Sequence, residues 1–161
     1  MIKTNDRIPA GTLTALGEVG MQQFNPAELF DKGTHILFAV PGAFTPTCSE
    51  KHLPGFVEHA AELKKHGVQT IACVAVNDAF VMKAWGKALN VGDSVMLLSD
   101  GDASYHRELG LIKETSSFGG TRAERYAMVI TDGVITHLFV EDEKSYGVSS
   151  AEHVLEALKK G

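Results

Sequence analysis

The stretch "RYAMVITDGVITHLFVE" (125–141) places two β-rich runs on either side of Asp132-Gly133. That dipeptide is the favoured chemistry of a two-residue type I′ turn, so the segment reads as an antiparallel hairpin. Upstream, three more apolar runs read as strands: "THILFAV" (34–40), ended by Pro41-Gly42, then "VQTIACVAV" (68–76) and "SVMLLS" (94–99). Helical stretches separate them. From Cys48 to about Lys65, Phe56, Val57, Ala60 and Leu63 recur at helical spacing, and Pro54 predicts a bend. Asn77-Asp78 caps a helix running to about Leu89, and a short helix follows "DGDAS" through about Leu109. Ser149 and Glu152 fit a capping box that opens a last helix to about Lys159. Strand–helix–strand order favours parallel neighbours, whereas the hairpin must be antiparallel. The outcome is an α/β architecture: a mixed central sheet with helices on both faces. Pro9 and Pro26, with polar neighbours, predict an irregular or short-stranded N-terminal region.

Repeats, low-complexity segments and long linkers are absent from the 161 residues, which are read as a single domain spanning 1–161. With 44% hydrophobic and 22% charged residues the composition is that of a soluble protein. The net charge of −5 is spread along the chain, leaving no basic patch for nucleic acid and no polybasic stretch for a membrane surface. Runs such as "HILFAV" are far too short to span a bilayer. "MIKTNDRIPAGTL" has neither the apolar core of a signal peptide nor transit-peptide composition, so a reducing, cytoplasmic setting is expected. Two cysteines, Cys48 and Cys73, imply no disulfide scaffold.

Cys48 opens a helix. Thr47 and Glu50 form one capping box, with Cys48 at the first helical position; alternatively Thr45 caps and Pro46 takes that position. Either way the sulfur stands in the first turn, where unpaired N–H groups and the helix dipole favour an anion. A thiol in such a place can have its pKa lowered from the ordinary value of about 8.5. The plain reading is a small buried residue that happens to precede a helix. Thiol–disulfide exchange by Cys-x-x-Cys does not fit, because Thr45 and Lys51 occupy the positions three away. A cysteine hydrolase would use His52, one turn on, as base, yet no third orienting group is apparent. His52, His59 and His66 recur every seven residues, roughly 10 Å apart on a helix, too far to share one metal ion. They read as a solvated face.

Pro41, Thr45 and Cys48 reproduce the Pro-x-x-x-Thr-x-x-Cys motif of peroxiredoxins, and "PGAFTPTCS" followed by "HLPGF" resembles the atypical type II, peroxiredoxin 5-like subgroup. The likeness continues through "GVQTIACVAVNDAFVMKAW" and "RYAMVITDGVI", covering nearly the whole chain. It implies a thioredoxin-like fold with insertions. It also implies a thiol-dependent peroxidase for hydrogen peroxide and alkyl hydroperoxides that works without metal, haem or flavin. By resemblance Cys48 is the peroxidatic nucleophile, the Thr45 hydroxyl bonds thiolate and peroxide, and Pro41 shields the pocket. The family also requires an arginine directly before an aromatic residue and a strand, which selects Arg125 over Arg122; the latter reads as a solvated strand-edge charge.

Cys73, flanked by apolar residues, reads as core. Some relatives carry a second, resolving cysteine about where Ser149 and Ser150 stand here; others have one at the place of Cys73 and draw on external thiols. The chain resembles the second group, so glutathione/glutaredoxin or thioredoxin is the expected reductant. Phe44, Phe80 and Trp85 read as core residues, although aromatics near the active-site loops of the family also serve a homodimer interface. The same Cys48 chemistry would serve a peroxide sensor or redox relay.

Overall fold

The computed structural model describes residues 1–142 and 146–160, and of Cys48 the backbone alone. Strands β1 (Leu13–Gly17) and β2 (Gly20–Phe24) form an antiparallel hairpin, so the N-terminal region is short-stranded. Helix α1 (Pro26–Leu29) starts at Asn25, whose side chain accepts from the Ala27 N–H, with Pro26 in the first turn. Strand β3 (Thr34–Ala39) is buried over its last five residues.

Helical backbone then begins at 46–47 and passes through a π-helical turn, Cys48–His52, into α2 (Leu53–Glu58). Pro54 offers no N–H to the preceding turn and its ring crowds that turn; the wider π-turn immediately before it accommodates both effects. The expected bend is therefore this π-turn, and a second break at His59 leads into α3 (Ala60–Lys65).

Strand β4 (Val68–Ala75), α4 (Ala79–Ala88), β5 (Met96–Ser99) and α5 (Ser104–Leu109) follow as anticipated, with the Asp78 carboxylate capping α4 by accepting from the Val81 N–H. A two-stranded ribbon that the residue pattern had not suggested comes next: β6 (Ile112–Glu114), a 3-10 turn Ser116–Phe118, and β7 (Thr121–Ala123). Asp132 and Gly133 both take positive φ, 50° and 81°, the type I′ geometry that joins β8 (Tyr126–Thr131) to β9 (Val134–Val140). Helix α6 (Ala151–Lys159) is capped by Ser150, not by Ser149, whose hydroxyl is drawn instead to Glu141.

The main sheet has seven strands in the order β2-β1-β5-β4-β3-β8-β9. β3, β4 and β5 are parallel neighbours, while β8 pairs antiparallel with both β3 and β9. One face packs α2, α3, α4 and α6 against Phe38, Ile71, Cys73 and Val129. The other packs Phe30, Tyr105 and Leu109 against Leu37, Val74 and Tyr126. Alternation along β8 thus sends consecutive residues into different cores.

Candidate active site

Where β3 ends, the chain turns through Pro41–Thr45 toward the helix. The Ala43 N–H donates to Asn77 Oδ1 at 2.9 Å, which ties this turn to the start of α4. The Ser99 hydroxyl donates in turn to the Asn77 carbonyl. Phe44 takes φ 65°, a left-handed conformation costing on the order of 1–3 kcal/mol that only a well-anchored turn sustains. Thr45 Oγ1 donates to the Gly42 carbonyl at 2.6 Å, and the Ser49 N–H donates to the Thr45 carbonyl at 2.9 Å. Of the two possible caps, the second is realised: Thr45 precedes the helix and Pro46 opens it. Cys48 therefore lies in the first turn, as expected, together with N–H groups that precede the first helical bond. Its side chain lies outside the described atoms. Beside it, Ser49 Oγ accepts the Trp85 indole N–H at 2.9 Å, a contact from α4 that no local pattern reveals.

One turn beyond Cys48 stands His52, wholly buried rather than on a solvated face. Arg125 Nη1 donates to its Nδ1 at 3.0 Å, and its Nε2 lies 3.0 Å from the Ser149 carbonyl. A guanidinium only donates and a carbonyl only accepts, so the ring must be neutral with its proton on Nε2. Burial, reinforced by the Arg125 charge, pushes the His52 pKa down to about 3. The ring is packed among Phe38, Phe56 and Tyr146 in tilted and edge-on contacts, with centroids 4.9, 5.7 and 5.3 Å away. Because its acceptor lone pair is occupied by Arg125, His52 cannot serve as the base of a cysteine hydrolase. What it does is hold a guanidinium, arriving from the start of β8, at the turn that carries Cys48.

The carbonyl that orients His52 is itself fixed. Glu141, buried, accepts at Oε2 from the Gly147 N–H, the Ser149 N–H and the Ser149 hydroxyl, at 2.7, 2.8 and 2.7 Å. Burial pushes its carboxyl up, but these hydrogen bonds outweigh that and hold it below the usual range. The sequence reading missed His52, Glu141 and the Ser149 carbonyl as members of the site. The run "HLPGF" directly after the cysteine motif was the one available signal, and it pointed to His52 alone.

The other candidates separate. Cys73 is fully buried in β4, opposite Phe38 and Leu97, so a bond to Cys48 would require local opening. Arg122 is not a solvated strand-edge charge: its Nε donates to the Gly119 carbonyl and its Nη1 to the Val76 carbonyl, both at 2.9 Å. Trp85 is core, but Phe44 and Phe80 are exposed, at 56% and 63%, because the strained turn and the first turn of α4 project them outward. His59 meets Glu152 and His66 meets the Glu62 carbonyl, so the three histidines of the seven-residue stripe have separate partners. Among the described residues no group of three or more His, Cys, Asp or Glu is placed to hold a metal ion.

Comparison with known proteins gives the arrangement its context. The Redoxin family pattern matches residues 3–155. The sequence is 48% identical to "Peroxiredoxin-2E-2, chloroplastic" of Oryza sativa subsp. japonica, over 98% of this chain and 72% of that one. The fold superposes with a TM-score of 0.96 on the crystal structure of reduced Prx3 from Vibrio vulnificus in complex with hydrogen peroxide, at 52% identity, covering 98% of this chain and 99% of that one. Peroxiredoxin 5 from Alvinella pompejana superposes with a TM-score of 0.87 at 31% identity over the whole of both chains.

Proposed function

Since the chain belongs to the redoxin family, as a thiol-dependent peroxidase of the peroxiredoxin 5-like, type II group, we propose that Cys48 is the sulfur that reduces the peroxide. The observation that carries this assignment is the Arg125 guanidinium, brought by His52 to the helical turn that Cys48 opens. As a thiolate, the Cys48 sulfur attacks the nearer peroxide oxygen. The S–O bond forms as the O–O bond breaks, and the departing oxygen takes up a proton and leaves as water or an alcohol. The sulfur is left as a sulfenic acid. Arg125 and the first-turn N–H groups are donors for the charge that develops on the oxygens, and a guanidinium presents them as a rigid fork. The Thr45 hydroxyl stands at the mouth of this turn and Pro41 forms its wall against water.

Hydrogen peroxide and alkyl hydroperoxides are the proposed oxidants. Glutathione with glutaredoxin, or thioredoxin, is the proposed reductant: one external thiol condenses with the sulfenic acid, releasing water, and a second thiol restores Cys48. Burial of Cys73 and the serines at 149 and 150 support an external thiol over an internal one. A homodimer is proposed in which the exposed Phe44 and Phe80 are covered, and a reducing, cytoplasmic setting suits a chain with no disulfide framework.

Replacement of Cys48 by Ser abolishes turnover of hydrogen peroxide in a coupled glutathione assay, whereas Cys73→Ser retains most of it. Turnover surviving in the Cys48 variant refutes the assignment. Equal loss in both variants makes Cys73 a resolving residue.

A further inference from the structure

Beside the Pro41–Thr45 turn lies a cleft of about 140 Å3 with an unusual charge content. Lys113 of β6 and Arg122 of β7 are directly opposed in the antiparallel ribbon, and both line this cleft. Two like charges at facing positions destabilise a strand pair. Neither cation forms an ion pair among the described residues, although Lys113 also edges a neighbouring cleft lined by Glu114, Glu124, Glu141 and Asp142. Arg122 is moreover held in place by the Val76 and Gly119 carbonyls. A guanidinium so tethered has lost its side-chain freedom before any ligand arrives.

The remaining walls match a small organic anion. Thr115 lines the cleft with its hydroxyl proton already given to the Gly120 carbonyl, and Phe118, 85% exposed, adds an apolar side. The space accommodates about five water-sized groups at roughly 30 Å3 each, enough for a carboxylate and the carbon that bears it. Pro41 and Thr45 line the same cleft, so an anion seated there has the rest of its molecule next to Cys48.

We infer that Lys113 and Arg122 form a carboxylate subsite that selects co-substrates carrying a free carboxylate. This rests on the reading of Cys48 given above. Two classes present that chemistry: a small acidic thiol of the glutathione type as reductant, and a fatty-acid hydroperoxide as oxidant.

Stopped-flow kinetics on the full chain distinguish them. One arm compares glutathione with its diethyl ester in reducing the Cys48 sulfenic acid. The other compares linoleic acid hydroperoxide with its methyl ester in forming it, and hydrogen peroxide is the common reference within each variant. The wild type favours the free acid by about fivefold, the worth of one half-exposed charge contact. Lys113→Gln removes the preference and Lys113→Glu inverts it. Lys113 lies in a half-buried ribbon and makes no side-chain hydrogen bond among the described residues, so these variants spare the fold; Arg122→Lys, which keeps the charge and loses the fork, gives an intermediate preference. The arm in which the preference appears names the source. A preference unchanged by Lys113 substitution in both arms, or an equal fall for acid and ester, overturns the subsite. A wild type whose Cys48 is not oxidised by hydrogen peroxide overturns instead the assignment of Cys48.

Discussion

Arg125 and Tyr126 are neighbours in sequence, yet each begins a hydrogen-bonded relay on a different face of the sheet, and each relay runs through a buried histidine. On the helix-rich face Arg125 donates to His52, which donates to the Ser149 carbonyl. On the opposite face the Tyr126 hydroxyl meets His106 Nε2 at 2.9 Å, and His106 Nδ1 meets the Asp100 carboxylate at 2.7 Å. With the phenol donating, every group in the second relay is satisfied. Both histidines are fully buried. The difference lies at the first donor. A guanidinium has five N–H donors and can serve several partners at once, His52 among them; a phenol has a single O–H, and His106 takes it. Arg125 is half-buried at the turn carrying Cys48, whereas Tyr126 is fully buried, with burial pushing its phenol far up. With the role proposed for Arg125, the same architecture yields a donor for chemistry on one face and a fastening on the other.

The largest expected effect comes from removing the first donor of the open relay. In Arg125→Ala the rate constant for Cys48 oxidation by hydrogen peroxide falls about 100-fold, the usual cost of one preorganised charge-stabilising donor. His52 also loses the neighbouring cation that disfavours its protonation. Its pKa, followed by NMR of the imidazole protons, therefore moves upward from about 3, while burial keeps it below 6.5. An unchanged oxidation rate would remove the functional half of the comparison.

Next in size is the acid lability that the open relay confers. His52 has a folded pKa lowered to about 3 against 6.5 when unfolded, so between those values the unfolded chain holds the extra proton. Its stabilising contribution is complete above pH 6.5 and declines as pH falls toward about 3, with a slope approaching roughly 1 kcal/mol per pH unit. Glu141, also lowered, adds to the loss at the acid end. Urea titrations between pH 7 and pH 4 will show this slope in the wild type. In His52→Leu the part due to histidine disappears, at the cost of an unbonded Ser149 carbonyl and about 1–3 kcal/mol at neutral pH. A slope that survives the substitution would place the acid-sensitive group elsewhere.

Much of this arrangement was legible in the residues, and the part that was not has a physical cause. The Asp132-Gly133 hairpin, the strands that became β3, β4 and β5, and the Asp78 cap rest on local chemistry, and local chemistry is what a sequence displays. Pro41, Thr45 and Cys48 could be singled out because they fall in one short stretch, 41–48, that matches a family motif. His52 was misread because its exposure is decided by Phe38 and Tyr146, which come from distant segments, together with Phe56 of its own helical run. The cap of α6 was misplaced by one residue because Glu141 captures the Ser149 hydroxyl that would otherwise have served. The ribbon of β6 and β7 was missed because three-residue strands are too short to show a period. Phe44 and Phe80 were assigned to the core on hydrophobicity, which is no guide where a positive φ or a helix start turns a ring outward.

The smallest effect is the sharpest test of the separation between the faces. Tyr126→Phe deletes one oxygen and leaves the ring in its core. His106 Nε2 then lacks a donor, which costs about 1 kcal/mol in a denaturant midpoint. Peptide planarity links Tyr126 to Arg125, but the two side chains leave β8 in opposite directions, and β8 is held independently through Tyr126 paired with Ala39 and with Val140. The backbone that sets Arg125 is therefore fastened without the phenol, and the rate constant for Cys48 oxidation stays within about twofold of wild type, a change of under roughly 0.4 kcal/mol. A tenfold fall in that rate at an unchanged fold would mean that the Asp100 relay positions Arg125 through the strand, and that the two faces act as one unit.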